Sequence, residues 1–151
     1  MYDHNKLLQV IMIIKYVDYI KLDQKITSSL VVFCNGPLIA QNMNTIPIGQ
    51  ALSRCISEVR ETRRTARIEQ CFLQVVSSLD DGVVISDFDV MFNPQYRIDV
   101  LKILISAAKS KKFSVLWPGK FENGRLIYAE EGYIDYKFFD IDNYDVTCVV
   151  Q

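Results

Sequence analysis

The sequence is poor in the residues on which several common catalytic sites depend. It has one histidine, His4, and its four cysteines stand at positions 34, 55, 71 and 148 without a C-x-x-C pair. Zinc sites need cysteine and histidine ligands at short spacings, so the sequence offers no recognisable zinc site. A histidine-dependent triad or a Cys–His dyad would have to use His4. The separated cysteines are instead typical of buried apolar groups in a reducing cytoplasm.

The sequence also lacks an excess of one charge and an apolar run of membrane length. Its 151 residues carry 17 basic and 18 acidic side chains, which gives a net charge of −1. That balance removes any global electrostatic argument for a nucleic-acid or membrane-surface protein, but it leaves room for a local basic patch. The most apolar stretch, Leu7–Ile20, is shorter than the ~20 residues that cross a bilayer. Its apolar residues share one helical face, so we expect an amphipathic helix and no membrane partner.

Composition and periodicity predict one α/β domain over residues 1–151. Hydrophobic residues make up 50 % of the chain, and no repeat, low-complexity tract or Pro/Gly-rich linker divides it. Continuous hydrophobicity indicates three strands buried on both faces: Ser29–Cys34, Val83–Ser86 and Phe113–Trp117. Amphipathic helices are predicted over Ile68–Leu79 and Val100–Ala108. This alternation predicts a three-layer sandwich with a mainly parallel sheet.

Other segments are less regular. Leu38–Pro47 carries no clear pattern, and Ile48–Ser57 fits either a strand or a short helix. Further along, Glu122-Asn123-Gly124 lies between apolar residues, which is the composition of a tight hairpin. We expect this C-terminal β-hairpin to add antiparallel strands at one edge of the main sheet. Two more strands are predicted over Tyr136–Phe139 and Val146–Val150.

Polar residues follow two of the predicted strands, at the position where nucleotide-binding α/β folds hold their ligands. Asn35, Gly36 and Pro37 follow the first strand, where a phosphate-binding loop would stand. The sequence after them contains no G-x-x-x-x-G-K-[ST] motif, so it lacks the lysine that reaches the phosphates and the hydroxyl that holds magnesium. The three residues therefore form either a remnant of such a loop or a plain turn.

A second candidate site consists of Asp87 and Asp89, which follow the apolar strand Val83–Ser86. This order resembles a Walker B motif, whose carboxylate polarises a magnesium-bound water. In an extended chain the two side chains would point to the same side and could share a cation. The alternative is a pair of solvated carboxylates at the end of a strand. The two residues alone establish neither a catalytic group nor a metal site.

The basic segment from Arg60 to Arg67 is a third candidate. Five residues could contact the phosphates of DNA or an acidic partner: Arg60, Arg63, Arg64, Arg67 and, further along, Lys109. The competing interpretation is a solvated basic face on which the arginines pair with the interleaved Glu58 and Glu61. Both interpretations stay open.

An ordered series of motifs runs from Asp80 to about Lys137. The Walker B-like strand is followed by Val90-Met91-Phe92-Asn93-Pro94 and then by Asp99. A later strand ends in Trp117-Pro118-Gly119, and a hairpin follows with Tyr128-Ala129, Gly132 and Asp135-Tyr136. Upstream, Ile48–Ser53 fits the same series. Together these motifs resemble the BrxF family, small P-loop proteins of type III BREX phage-defence systems.

The resemblance implies a degenerate P-loop NTPase-like domain in the cytoplasm. The chain would be an accessory subunit of a BREX-type system, acting as an interaction module for other defence-system proteins. Family members commonly keep the G-x-x-x-x-G-K-[ST] loop, and because its lysine is missing here we expect no ATP turnover. Two alternatives stay open. One is an active or nucleotide-sensing ATPase that binds ATP near Gly36 and Mg²⁺ through Asp87 or Asp89, and the other is a DNA-binding module.

Overall fold

Six parallel strands form the central sheet of the protein, whose computed structural model describes residues 12–22 and 26–151. In chain order the strands are β1 (Ile13–Lys15), β2 (Leu30–Phe33), β3 (Thr45–Pro47), β4 (Val83–Ser86), β5 (Phe113–Leu116) and β9 (Val146–Val150). Across the sheet they run β1-β9-β2-β5-β4-β3, and every neighbouring pair is parallel. The predicted mainly parallel sheet is therefore confirmed.

Helices cover both faces of this sheet. They are α1 (Tyr16–Tyr19), α2 (Pro37–Asn42), α3 (Gly49–Ser57), α4 (Arg64–Ser77) and α5 (Val100–Ala108). Leu30 and Val32 of β2 pack into the large apolar cluster with α3, α4 and α5, whereas Phe33 packs with Ile39 of α2 and Tyr19 of α1. Because alternate residues of one strand are buried on opposite faces, the strand sequences are apolar throughout.

Several predicted elements agree closely with the structure, and one does not. The strand Val83–Ser86 and the helix Val100–Ala108 have the predicted bounds, and Ile48–Ser57 forms a helix rather than a strand. The amphipathic helix predicted over Leu7–Ile20 is wrong at Ile13–Lys15, which pairs with β9 as a strand, whereas Tyr16–Tyr19 is helical. Residues 7–11 lie outside the described residues. Among the helices that the structure describes, none is long and apolar enough to cross a bilayer.

A second, antiparallel sheet contains the predicted hairpin. It consists of β6 (Lys120–Glu122), β7 (Arg125–Tyr128) and β8 (Lys137–Asp140) in the order β6-β7-β8. Asn123 and Gly124 form the turn between β6 and β7 with φ of 52° and 73°, as a two-residue hairpin requires. The expectation that the hairpin lies at one edge of the main sheet is wrong. The strand β5 that precedes it is already paired on both sides, so the chain must leave the main sheet before the hairpin begins.

The small sheet is attached to the main sheet through the segment Trp117-Pro118-Gly119. Trp117 is 1 % exposed, and its indole Nε1 donates a hydrogen bond to the carbonyl oxygen of Ile127 at 2.9 Å. Around it, Phe92 stacks on Tyr128 with a centroid distance of 3.8 Å, and Phe139 meets the indole edge-on at 5.7 Å. These rings, of which only Tyr128 is partly exposed, form one aromatic cluster between the two sheets.

Gly119 makes this attachment sterically feasible, because a Cβ at this position would lie 1.8 Å from the carbonyl oxygen of Ile127. We expect Gly119→Ala to lower the free energy of unfolding by about 3 kcal/mol or more, since backbone would have to move to relieve the overlap. Urea unfolding measures the effect. Gly132→Ala is the matched control, because Gly132 has φ of +97° but open space around it, and we expect a loss of only about 1 kcal/mol. Equal losses would contradict the steric explanation.

Candidate functional site

The strand order places a topological switch point beside β2. After β2 the chain moves to the side of β3, whereas after β5 it moves to β9 on the opposite side of β2. In open parallel sheets, ligands bind outside the carboxyl ends of the strands at such a point. The carboxyl end of β2 leads into Asn35-Gly36-Pro37, and that of β4 leads into Asp87. The structure therefore places both sequence-predicted segments along this one edge.

The segment Asn35-Gly36-Pro37 after β2 is in contact with another part of the chain. The backbone N–H of Leu38 donates a hydrogen bond to Oε1 of Gln151 at 2.6 Å, and a Cβ on Gly36 would lie 2.6 Å from the same oxygen. The neighbouring Pro37 has no N–H to offer. In a phosphate-binding loop, backbone N–H groups at this position hold the ligand. Here the side-chain oxygen of Gln151 takes that hydrogen bond.

Asp87 and Asp89 have different surroundings. The chain leaves the extended conformation at Asp87, whose φ is 61°, and a 3₁₀ helix begins at Asp89. The assumption that both carboxylates follow an extended strand is therefore wrong. Asp87 lies against Gly49 at the start of α3, where a Cβ would be 2.2 Å from Oδ2 of Asp87. Asp89 instead accepts a hydrogen bond from the hydroxyl of Tyr128 at 3.2 Å.

Neither carboxylate belongs to a recognisable metal centre. Across residues 12–22 and 26–151, no group of three or more His, Cys, Asp and Glu side chains could hold a metal ion. Asp99, which follows these residues in the sequence, has a structural role. Its carboxylate accepts a hydrogen bond from the N–H of Lys102 at the start of α5 and another from the hydroxyl of Tyr144 at 2.6 Å. Burial and the Asp99 carboxylate raise the pKa of Tyr144, so this hydroxyl stays protonated at neutral pH.

The structure brings three of the four predicted arginines together. Arg60, Arg63 and Arg67 line one cavity of about 400 Å³ between α3 and α4. Arg64 is directed elsewhere, and its Nε donates to the carbonyl oxygen of Val59 at 3.1 Å. Lys109 lines a different cavity, beside Asp99 and Tyr144.

The predicted pairing of the arginines with glutamates is absent. Within the described part of the chain, no ion pair joins any of the four arginines to Glu58 or Glu61. The predicted surface pairs with Glu58 and Glu61 are therefore wrong, whereas Arg60, Arg63 and Arg67 are exposed, as a solvated basic face requires. The cavity between α3 and α4 keeps its guanidinium groups available for an anion.

Three residues of the carboxyl edge were missed as site residues by sequence reasoning. Gln151 and Gly49 have no local signal, since each contact is made with a distant part of the chain. Tyr128 stands in the hairpin motif, but nothing in that motif indicates its hydrogen bond to Asp89.

The cysteines are free thiols, and Cys34, Cys71 and Cys148 are buried as predicted, whereas Cys55 is partly exposed.

Comparison with known proteins leaves the chain without an assigned relative. No protein-family model matches it, and neither the curated proteins nor the solved structures contain a significant match.

The contact between Gly49 and Asp87 is testable with a double-mutant cycle. We expect Gly49→Ala to lower the free energy of unfolding by about 2 kcal/mol, because the new methyl group overlaps the Asp87 carboxylate. Asp87→Gly removes that carboxylate and suits the positive φ, so alone it should be neutral or stabilising. In the Asp87→Gly background, Gly49→Ala should cost at least about 1 kcal/mol less. Additive effects in urea unfolding would contradict the contact.

The raised pKa of Tyr128 predicts that the stability of the protein depends on pH. Burial and the Asp89 carboxylate raise the pKa of Tyr128 to about 12 from 10.0. The folded state therefore favours the protonated hydroxyl, and this stabilisation is complete below pH 10 and is lost as the pH rises towards 12. We expect the difference in unfolding free energy between the wild type and Tyr128→Phe to shrink between pH 10 and 12. Tyr133→Phe, at an exposed tyrosine, is the control, and the same change in both variants would contradict the prediction.

Proposed function

We propose that the chain is an accessory subunit of a BREX-type phage-defence system, with a degenerate P-loop fold that binds protein partners and does not turn over ATP. The motif series from Asp80 to about Lys137 supports the family assignment. The strand order supports the fold, because it places the remnant loop and Asp87 along the carboxyl edge at which such folds hold a nucleotide.

The hydrogen bond from Leu38 to Gln151 is the observation that carries the proposal. A triphosphate needs donors and positive charge, yet the segment Asn35-Gly36-Pro37 contains no lysine, and the N–H of Leu38, in the first turn of α2, is bonded to the Gln151 oxygen. Further along the same edge, Asp87 contributes a carboxylate. Oxygen acceptors at these positions repel phosphate oxygens, so ATP would lose the electrostatic stabilisation on which transfer of its γ-phosphate depends.

An exposed apolar surface on the small sheet supports a role in protein binding. Ile134 is 88 % exposed and Tyr133 66 % exposed in the connection between β7 and β8, and Phe138 of β8 is 45 % exposed. Arg125 lies over the outer face of the Phe138 ring at 4.4 Å. Aromatic residues and arginine are the side chains that contribute most to protein interfaces. We therefore place the partner interface on this surface.

ATP hydrolysis in the presence of Mg²⁺ tests the first half of the proposal. We expect phosphate release to equal the protein-free blank for the wild type, for Asp87→Asn and for Gln151→Ala, because no nucleotide is held at the carboxyl edge. Hydrolysis by the wild type that Asp87→Asn abolishes would establish the ATPase alternative and overturn the proposal.

The second half is tested by co-expression with the other proteins of a type III BREX cluster. We expect the chain to co-purify with one of them, and Ile134→Ser to weaken that complex by about tenfold or more. Leu73→Ser on α4 is the matched control, because Leu73 is also an exposed apolar side chain but lies outside the surface. No complex with any of these proteins, or equal effects of the two variants, would contradict the proposal.

A further inference from the structure

A groove between α3 and α4 combines positive charge with a concave shape. It encloses about 400 Å³, and its walls include Arg60, Arg63 and Arg67 together with Glu58 and Gln70. Ligand sites in proteins commonly have this size or somewhat more. We call it the arginine groove. It is separate from the carboxyl edge, and nothing in the proposed function requires it.

The guanidinium groups of the groove keep most of their hydrogen-bonding capacity. Among the described residues, neither Arg60 nor Arg63 forms an ion pair or a side-chain hydrogen bond. Arg67 donates one hydrogen bond, to Oε1 of Gln70 at 2.8 Å. Three arginines thus face a single acidic residue of the wall, Glu58.

The buried thiol of Cys71, which lines the groove, does not oppose an anion. Burial raises the pKa of Cys71 to about 12, with a further contribution from the thiol of Cys55, so Cys71 is neutral at physiological pH. Two further acidic residues, Glu61 in the connection between α3 and α4 and Glu69 of α4, are exposed and do not line the groove. Negative charge therefore flanks the groove, but positive charge dominates inside it.

We propose that the arginine groove binds the phosphate group of a small phosphorylated molecule. Guanidinium groups match phosphate oxygens with paired hydrogen bonds, and three of them around one cavity suit a single dianionic group. A nucleic-acid backbone fits less well, because a continuous row of phosphates would pass the flanking Glu61 and Glu69 and be repelled there.

Nuclear magnetic resonance titration of the full chain with adenosine monophosphate tests the proposal, with adenosine as the probe that lacks the phosphate. We expect the monophosphate, but not adenosine, to shift the amide signals of residues 58–71 at low ionic strength. Arg63→Gln and Arg67→Gln should each weaken binding by about tenfold. Arg97→Gln removes the same charge away from the groove and should leave the affinity unchanged. Asp87→Asn should have no effect either, which separates this site from the carboxyl edge.

Four results of the titration would overturn the proposal. They are equal shifts with adenosine, no shift with the monophosphate at low ionic strength, shifts that move to the loop after β2, and equal weakening by Arg97→Gln. Binding of duplex DNA without binding of the monophosphate would also overturn it, since the groove would then belong to an extended polyanion surface. Unfolding midpoints of the variants show whether a loss of binding is a loss of folding, and the charge-retaining Arg67→Lys should recover part of the affinity if the fold is intact.

Discussion

Parallel pairing of the six strands is the constraint on which the rest of the structure depends. Parallel strands cannot be joined by tight turns, so each connection crosses a face of the sheet, and both faces must be covered. The same constraint brings all carboxyl ends to one edge, where the backbone groups of several loops need partners. The chain supplies one such partner itself, because Gln151 accepts the hydrogen bond of the Leu38 N–H, and Asp87 lies against Gly49 further along the edge. The edge that could serve a ligand is thereby partly occupied by side chains of the protein itself.

The small antiparallel sheet extends this arrangement and separates two kinds of surface. Its inner face packs on Trp117 and Phe92, and the close approach at Gly119 lets the backbone of β7 reach the indole. Its outer face carries Phe138 and Arg125, and the connection beside it exposes Ile134. The arginine groove belongs to the helical layer formed by α3 and α4. An apolar surface and a basic groove thus lie on different layers, and two kinds of ligand could bind independently.

Local patterns predicted the elements that depend on local physics. Val83–Ser86 is apolar because it is buried on both faces, and Asn123-Gly124 marks a turn because both residues tolerate positive φ. Ile13–Lys15 was misassigned because pairing with β9 overrides the helical periodicity around it. The site contacts are not local at all. Leu38 and Gln151 are 113 residues apart, and no spacing rule connects them. The spacing of Arg63 and Arg67 indicates that both residues lie on one helical face. The residues of α3 on the opposite wall of the groove could be identified only from the structure.

The position of β9 bears on how the chain reaches its folded state. This late strand lies between β1 and β2, which precede all the other strands of the sheet, and its Thr147 meets Ser28 across 119 residues of sequence. Until β9 inserts, two neighbouring strand edges stay unpaired, and closing so long a loop carries a large entropic cost. Such topology slows folding and lengthens the time during which those edges can pair with another chain. Insertion of β9 is therefore the step of sheet assembly that closes the longest loops, and it pairs both open edges at once.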